Sequence, residues 1–146
     1  MRNCKNQKGF TLIEIITVIA IIAILAAVVA PRFVGRTEDA RISAAKADIS
    51  AIETALDAYE ADNGAYPATE QGFEALSEIP NIPPIPANWK GPYLKKKAPK
   101  DPWGNPYVFV SPGINNPGSY DIYSLGKDGK EGGIGPDADI TNWTQE

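Results

Sequence analysis

Apolar residues run almost without a break from Phe10 to Ala30, "FTLIEIITVIAIIAILAAVVA", and then the pattern changes character. A helix rises about 1.5 Å per residue, so this stretch reaches across roughly the 30 Å of a hydrocarbon core. It predicts a membrane-crossing segment. Beyond Pro31, which can kink or break a helix by removing one donor, "RTEDARISAAKADISAIETALDAYEADNG" places Ile42, Ala45, Ile49, Ile52, Leu56 and Tyr59 at alternating three- and four-residue steps. That spacing draws one apolar stripe along a second helical stretch, suited to packing against a domain. Thr37 reads as its N-cap, with Glu38 and Asp39 in the first turn, and Asn63-Gly64 as its stop. The other face, with Lys46, Asp48, Glu53, Asp57 and Glu60, is mainly acidic.

From Gly64 onward the helical period gives way to short, punctuated segments. "YPATEQGFEALSEIP" predicts a short helix with Thr69 as cap and Phe73 and Leu76 on one side. "NIPPIPANWKGPYLKKKAP" is too rich in proline for a central strand or a long helix and reads as a structural wrap. "YVFV" and "SYDIYSL" predict two short antiparallel strands joined by the loop "SPGINNPG". Long helix, short helix, irregular loop and small antiparallel sheet make an α+β order. The segments are 1–9, 10–30, 31–63 and 64–146.

Composition narrows the function classes. The chain has 146 residues and a formal charge of −4, without the basic surplus of a nucleic-acid binder. It has no histidine, and its one cysteine is Cys4, which removes histidine-assisted nucleophilic catalysis, histidine-ligated zinc and any disulfide within the chain. A carboxylate pair for glycoside hydrolysis lacks a substrate platform beside it, so the expectation is a protein that is not an enzyme. Lys95, Lys96 and Lys97, with Lys100 nearby, form a basic cluster. It reads either as a solvated loop or as a contact for the acidic helix face of a neighbouring copy. "SLGKDGKEGGIGPDADITNW" sets Asp128, Glu131, Asp137 and Asp139 among glycines, without the alternating acids of an EF-hand. On spacing alone, a solvated turn and a loop for a hard cation both remain open.

One residue does not belong. Glu14 is a lone acid inside the apolar stretch, and an ionisable group there is costly enough to be a functional-site hypothesis by default. Arg2, Lys5 and Lys8 precede the stretch as in a secretory signal, but the stretch is longer than the usual apolar core of such signals, and Pro31 would follow the cut. Arg32, Arg36 and Arg41 follow closely, so positive charge is balanced and does not orient the span.

"KGFTLIEIITVIAIIAILAAVVAP" resembles the class III leader of type IV pilins and pseudopilins, through its basic start, Gly9, Phe10, the acid Glu14 and Pro31. "YPATEQGFEAL", "WKGPYLKKKAPKDPWGNPYVFVSPG" and "YDIYSLGKDGKEGGIGPDADITNW" are similar to successive blocks of the type II secretion major pseudopilins, the general secretion pathway protein G family. The resemblance implies a pilin-like α+β fold and a prepilin peptidase that cuts between Gly9 and Phe10, methylates the new Phe10 amine and discards Cys4. It implies a homopolymer in which Glu14 meets the Phe10 amine of a neighbour, with Pro31 part of the assembling helix. It further implies structural calcium held by side chains of Asp128, Asp137 and Asp139 and the Leu125 carbonyl. Minor pseudopilins and an inner-membrane assembly platform would be its partners. The chain would be a single-pass inner-membrane protein with a periplasmic C-terminal domain, and its filament would drive export of folded proteins. A type IV pilin for adhesion or motility and a membrane-tethered calcium-binding domain without a filament are the alternatives.

Overall fold

A computed structural model describes residues 9–95 and 99–143, except for the side chains of residues 30–35. Most of the basic leader, the side chain of Pro31, and Lys96 and Lys97 therefore lie outside the described residues. The chain falls into two compact units, Met1–Thr37 and Glu38–Glu146.

Helix α1 is assigned over Leu12–Asn63. It passes through Pro31 without a break, as one long helical spine requires. Proline forfeits one helix bond there, and the turns on either side keep theirs. Thr37 consequently has no helix start to cap. Within the first unit, Leu12–Val29 has a mean hydropathy of 3.0 and none of it is buried, which is long and apolar enough to cross a membrane.

The second unit is built on the part of α1 that follows Thr37. The predicted stripe is its core face: Ala45, Ile49, Ile52, Leu56 and Tyr59 are buried, joined by Ala55, with Ile42 packed at the margin. The predicted stop holds. Gly64 N–H still reaches the Glu60 carbonyl at 2.6 Å, and Asn63 Nδ2 donates to the Tyr59 carbonyl at 2.9 Å, which uses up acceptors that the last turn would leave open.

The predicted short helix is a 3₁₀ turn, Gly72–Leu76, and Thr69 does not cap it. Thr69 Oγ1 accepts from Ser111 N–H at 2.8 Å and donates to the Ser111 carbonyl at 3.0 Å, fastening this segment to the far end of the first strand. The buried Gln71 organises the turn: its Oε1 accepts from Ala68 N–H, and its Nε2 donates to the carbonyls of Ile82 and Pro84. Those two bonds lay the proline-rich segment against the unit, as the structural wrap requires. Trp89 continues it, donating its indole N–H to the Ala75 carbonyl at 2.9 Å.

Strands β1 (Val108–Val110) and β2 (Asp121–Ser124) pair antiparallel as expected, with Phe109 opposite Ile122. A third strand, β3 (Ile140–Thr141), pairs with β2 and was not among the expectations. Two residues are too few to show an alternating pattern. Phe109, Ile122 and Ile140 face the core, where Phe109 meets Phe73 at a ring-centroid separation of 5.3 Å. The loop between β1 and β2 is shaped by the buried Asp121, whose carboxylate accepts from the backbone N–H groups of Ile114, Asn115 and Asn116. Burial works against that charge, yet these bonds hold its carboxyl below the usual carboxylate range.

Candidate functional site

The residues to which the sequence assigns chemistry lie in two places. The first is the start of α1. Gly9 and Phe10 precede the helix and are exposed, open to a processing enzyme. Thr11 and Glu14 then form a reciprocal cap. Glu14 N–H donates to Thr11 Oγ1 at 3.3 Å, and the Glu14 carboxylate accepts from Thr11 N–H at 3.3 Å. Thr11 N–H is a donor that the first helical turn leaves open, while Glu14 N–H is shared between Thr11 Oγ1 and the Thr11 carbonyl at 3.1 Å. This box is absent from the sequence expectations, although a threonine three residues before a glutamate at the head of an apolar run is its signature. The carboxylate thus has a donor before any cleavage creates a new amine. Thr11 N–H survives a cut between Gly9 and Phe10, so pairing with a neighbour's amine would be an exchange of partners.

The second place is the tail loop, Leu125–Asp139. Its two limbs meet at Gly126, where Lys127 N–H donates to the Pro136 carbonyl at 3.0 Å. Gly126 has φ +63°, and a Cβ there would come within 2.8 Å of the Ala138 carbonyl oxygen, so no other residue fits this crossing without movement. Gly133 is pressed as closely against the Asp137 carbonyl. Asp128 is exposed and accepts from Lys130 N–H at 3.1 Å, a small local turn. Asp137 belongs to a 3₁₀ turn, Gly135–Asp137. Asp139 Oδ2 accepts from Gly132 N–H at 2.9 Å, while its Oδ1 is buried with no hydrogen-bond partner among the described residues. Among the described residues, no three acidic, histidine or cysteine side chains stand together as a group able to hold a metal ion. Asp128, Asp137 and Asp139 share the loop without forming such a cluster. A buried carboxylate oxygen without a donor is the one observation in this loop that fits a hard cation, which takes oxygen ligands.

A brace behind this loop explains the block "DPWGNPY". Asp101 is 5% exposed. Its Oδ1 accepts from the N–H groups of Trp103 and Asn105, at 3.1 and 2.8 Å, and its Oδ2 accepts from Ser124 Oγ at 2.6 Å. Ser124 Oγ in turn accepts from Gly126 N–H, and Asn105 Nδ2 donates to the Gly126 carbonyl. Both backbone groups of the residue at the loop crossing are therefore held from Asp101. Trp103 reaches the other way and donates its indole N–H to Glu38 Oε2 at 3.0 Å. Glu38 Oε1 faces Lys127 Nζ at 3.5 Å and Arg41 at 3.7 Å. The Trp103 bond and then these cations hold the Glu38 carboxyl below its usual range, against the opposing pull of partial burial.

Residues 32–143 match the family described as Type II secretion system (T2SS), protein G, and residues 4–30 match the prokaryotic N-terminal methylation motif. A Pseudomonas aeruginosa protein named type II secretion system core protein G is 53% identical over 139 residues, 95% of this chain and 96% of that one. The Vibrio cholerae protein of the same name is 48% identical over 144 residues, 98% of this chain and 96% of its own. The crystal structure of the major pseudopilin from the type 2 secretion system of enterohaemorrhagic Escherichia coli superposes with a TM-score of 0.65 at 37% identity, covering 77% of this chain and 94% of that one. With its N-terminal methylation motif, its apolar first helix and its small three-stranded sheet, the chain belongs to the type II secretion system protein G family.

Proposed function

We propose that this chain is the major structural subunit of a type II secretion pseudopilus, polymerising through its apolar N-terminal helix to drive export of folded proteins. The observation that carries this reading is the helix segment Leu12–Val29, exposed throughout and strongly apolar apart from Glu14, which lies inside a methylation motif on a chain of this family. A surface of that kind is stable only in lipid or against other helices, and a filament supplies the second environment where a bilayer supplies the first. Self-association of one surface with a different surface of the next copy is open-ended and gives a filament. In this reading a prepilin peptidase frees and methylates Phe10, and an inner-membrane platform and minor pseudopilins join the assembly. The second unit then stands in the periplasm. A strain lacking this chain is expected to retain its secreted enzymes in the periplasm and to twitch normally. Lost twitching with intact export would assign the chain to a type IV pilus instead.

Structural calcium in the tail loop is part of the same proposal. Its support is Asp139 Oδ1, buried and without a hydrogen-bond partner among the described residues, in a loop whose limbs close at Gly126. Asp139, Asp128 and Asp137 with the Leu125 carbonyl would hold the ion, and Asp128 would give up its bond to Lys130 N–H to do so. When bound, calcium neutralises these acids and ties one limb to the other, adding its binding free energy to folding. At a concentration 100 times Kd that contribution is about 2.7 kcal/mol. Calcium should raise the melting temperature of the wild type and leave Asp139→Asn nearly unchanged. A wild-type melt identical in calcium and in chelator would remove the metal.

A further inference from the structure

Lys127 presents a difficulty for any cation bound in the tail loop. It adjoins Asp128, and its own backbone N–H closes the contact between the limbs that carry Asp128 and Asp137. An ammonium on a long flexible stem at this position would compete with a metal ion for the same carboxylates. In the structure it is drawn elsewhere, to Glu38 Oε1 at 3.5 Å. The Glu38 side chain is only 12% exposed, and its other oxygen is fixed by the Trp103 indole, whose backbone is fixed by Asp101. The acceptor is thus oriented before Lys127 arrives, and Arg41 on the same carboxylate adds to its anchoring. Glu38 and Trp103 lie 65 positions apart in the sequence, so the arrangement exists only in the folded unit.

We propose that Glu38 is a positioning residue for the cation loop: it holds the Lys127 ammonium away from the loop carboxylates and thereby sets the affinity for calcium without touching the ion. This rests on the calcium reading of the loop given above. Losing the Glu38 charge releases Lys127 toward Asp128 and its neighbours, where it occupies oxygens that the metal needs. The charge on Lys127, more than the loss of packing, is then what weakens binding, and removing that charge as well restores it.

Calcium titration by calorimetry of the processed full chain in detergent micelles separates these effects. Glu38→Gln is expected to weaken calcium binding on the order of tenfold. Lys127→Met should bind at least as tightly as the wild type, and the double variant should return to within about twofold of Lys127→Met. Wild-type affinity in Glu38→Gln would overturn the proposal. A double variant as weak as Glu38→Gln would do so too, because Glu38 would then act merely by holding Trp103. Should Glu38→Gln fail to fold, Glu38→Asp, which keeps the charge but shortens its reach, should show the same ordering in milder form, with the same rescue by Lys127→Met. A wild type that binds no calcium overturns both this proposal and the calcium reading; wild-type binding with no effect of Glu38 overturns this one alone.

Discussion

Asp101→Ala is expected to remove roughly 3 to 5 kcal/mol of stability from the second unit, a large part of the 5 to 15 kcal/mol typical of a whole domain. The carboxylate is buried and accepts three bonds, from the N–H groups of Trp103 and Asn105 and from the Ser124 hydroxyl. Ser124 is fully buried, so water does not replace the lost acceptor. A buried donor left without a partner costs about 1 to 3 kcal/mol, and truncation here strands more than one. The loss should travel, since Ser124 Oγ holds Gly126 N–H at the loop crossing. Asp101→Asn, which keeps one acceptor oxygen, should lose about half as much. Urea unfolding of the full chain in micelles, followed by tryptophan fluorescence, measures both. An alanine variant within about 1 kcal/mol of the wild type would show that the brace is not what holds the tail.

Glu14 gives the other large effect, on assembly. A carboxylate in a bilayer interior costs about 2.5 to 3.5 kcal/mol by insertion scales, so a charge partner offered by a neighbouring subunit would favour incorporation by a factor of roughly a hundred. The Thr11–Glu14 box complicates the usual alanine experiment, because alanine deletes the cap and the charge together. Glutamine separates them: it serves in a capping box as glutamate does, but it carries no charge. Glu14→Gln should therefore be cleaved normally at Gly9 and Phe10 and still fail to assemble, like Glu14→Ala. Thr11→Val, which removes half of the box and keeps the acid, should assemble with a milder defect. Filament yield by immunoelectron microscopy decides. Normal filaments from Glu14→Gln would mean that the acid serves as a helix cap and that no intersubunit amine depends on it.

What the sequence disclosed was mostly periodic. Ile42 to Tyr59 announces a buried helix face because one face of a helix repeats every three or four residues, and the buried residues fall where that period puts them. "YVFV" and "SYDIYSL" likewise carry enough strand formers to be found. The remainder depends on partners far apart in the chain. Asp101 and Ser124 are 23 positions apart and Thr69 and Ser111 are 42, so no local pattern marks the bonds that join them. Local sequence marks Thr37 and Thr69 as caps, but the helix continues past Thr37, and Thr69 pairs instead with the distant Ser111. In the tail, spacing alone left a solvated turn and a cation loop equally open. The buried Asp139 oxygen, unpartnered among the described residues, could be found only once the loop was folded.

The small sheet bears on how a polymerising protein avoids polymerising in the wrong way. Its order, β1-β2-β3, leaves β1 and β3 as edges, and an unpaired edge is a template for strand addition by another molecule. Here one edge is three residues long and the other two, and Pro106 and Pro112 stand just outside β1, where they offer no N–H to an incoming strand. Concentrating many copies along a filament would otherwise invite amyloid-like stacking of these sheets. Blunted edges leave packing of the apolar helix as the route to growth.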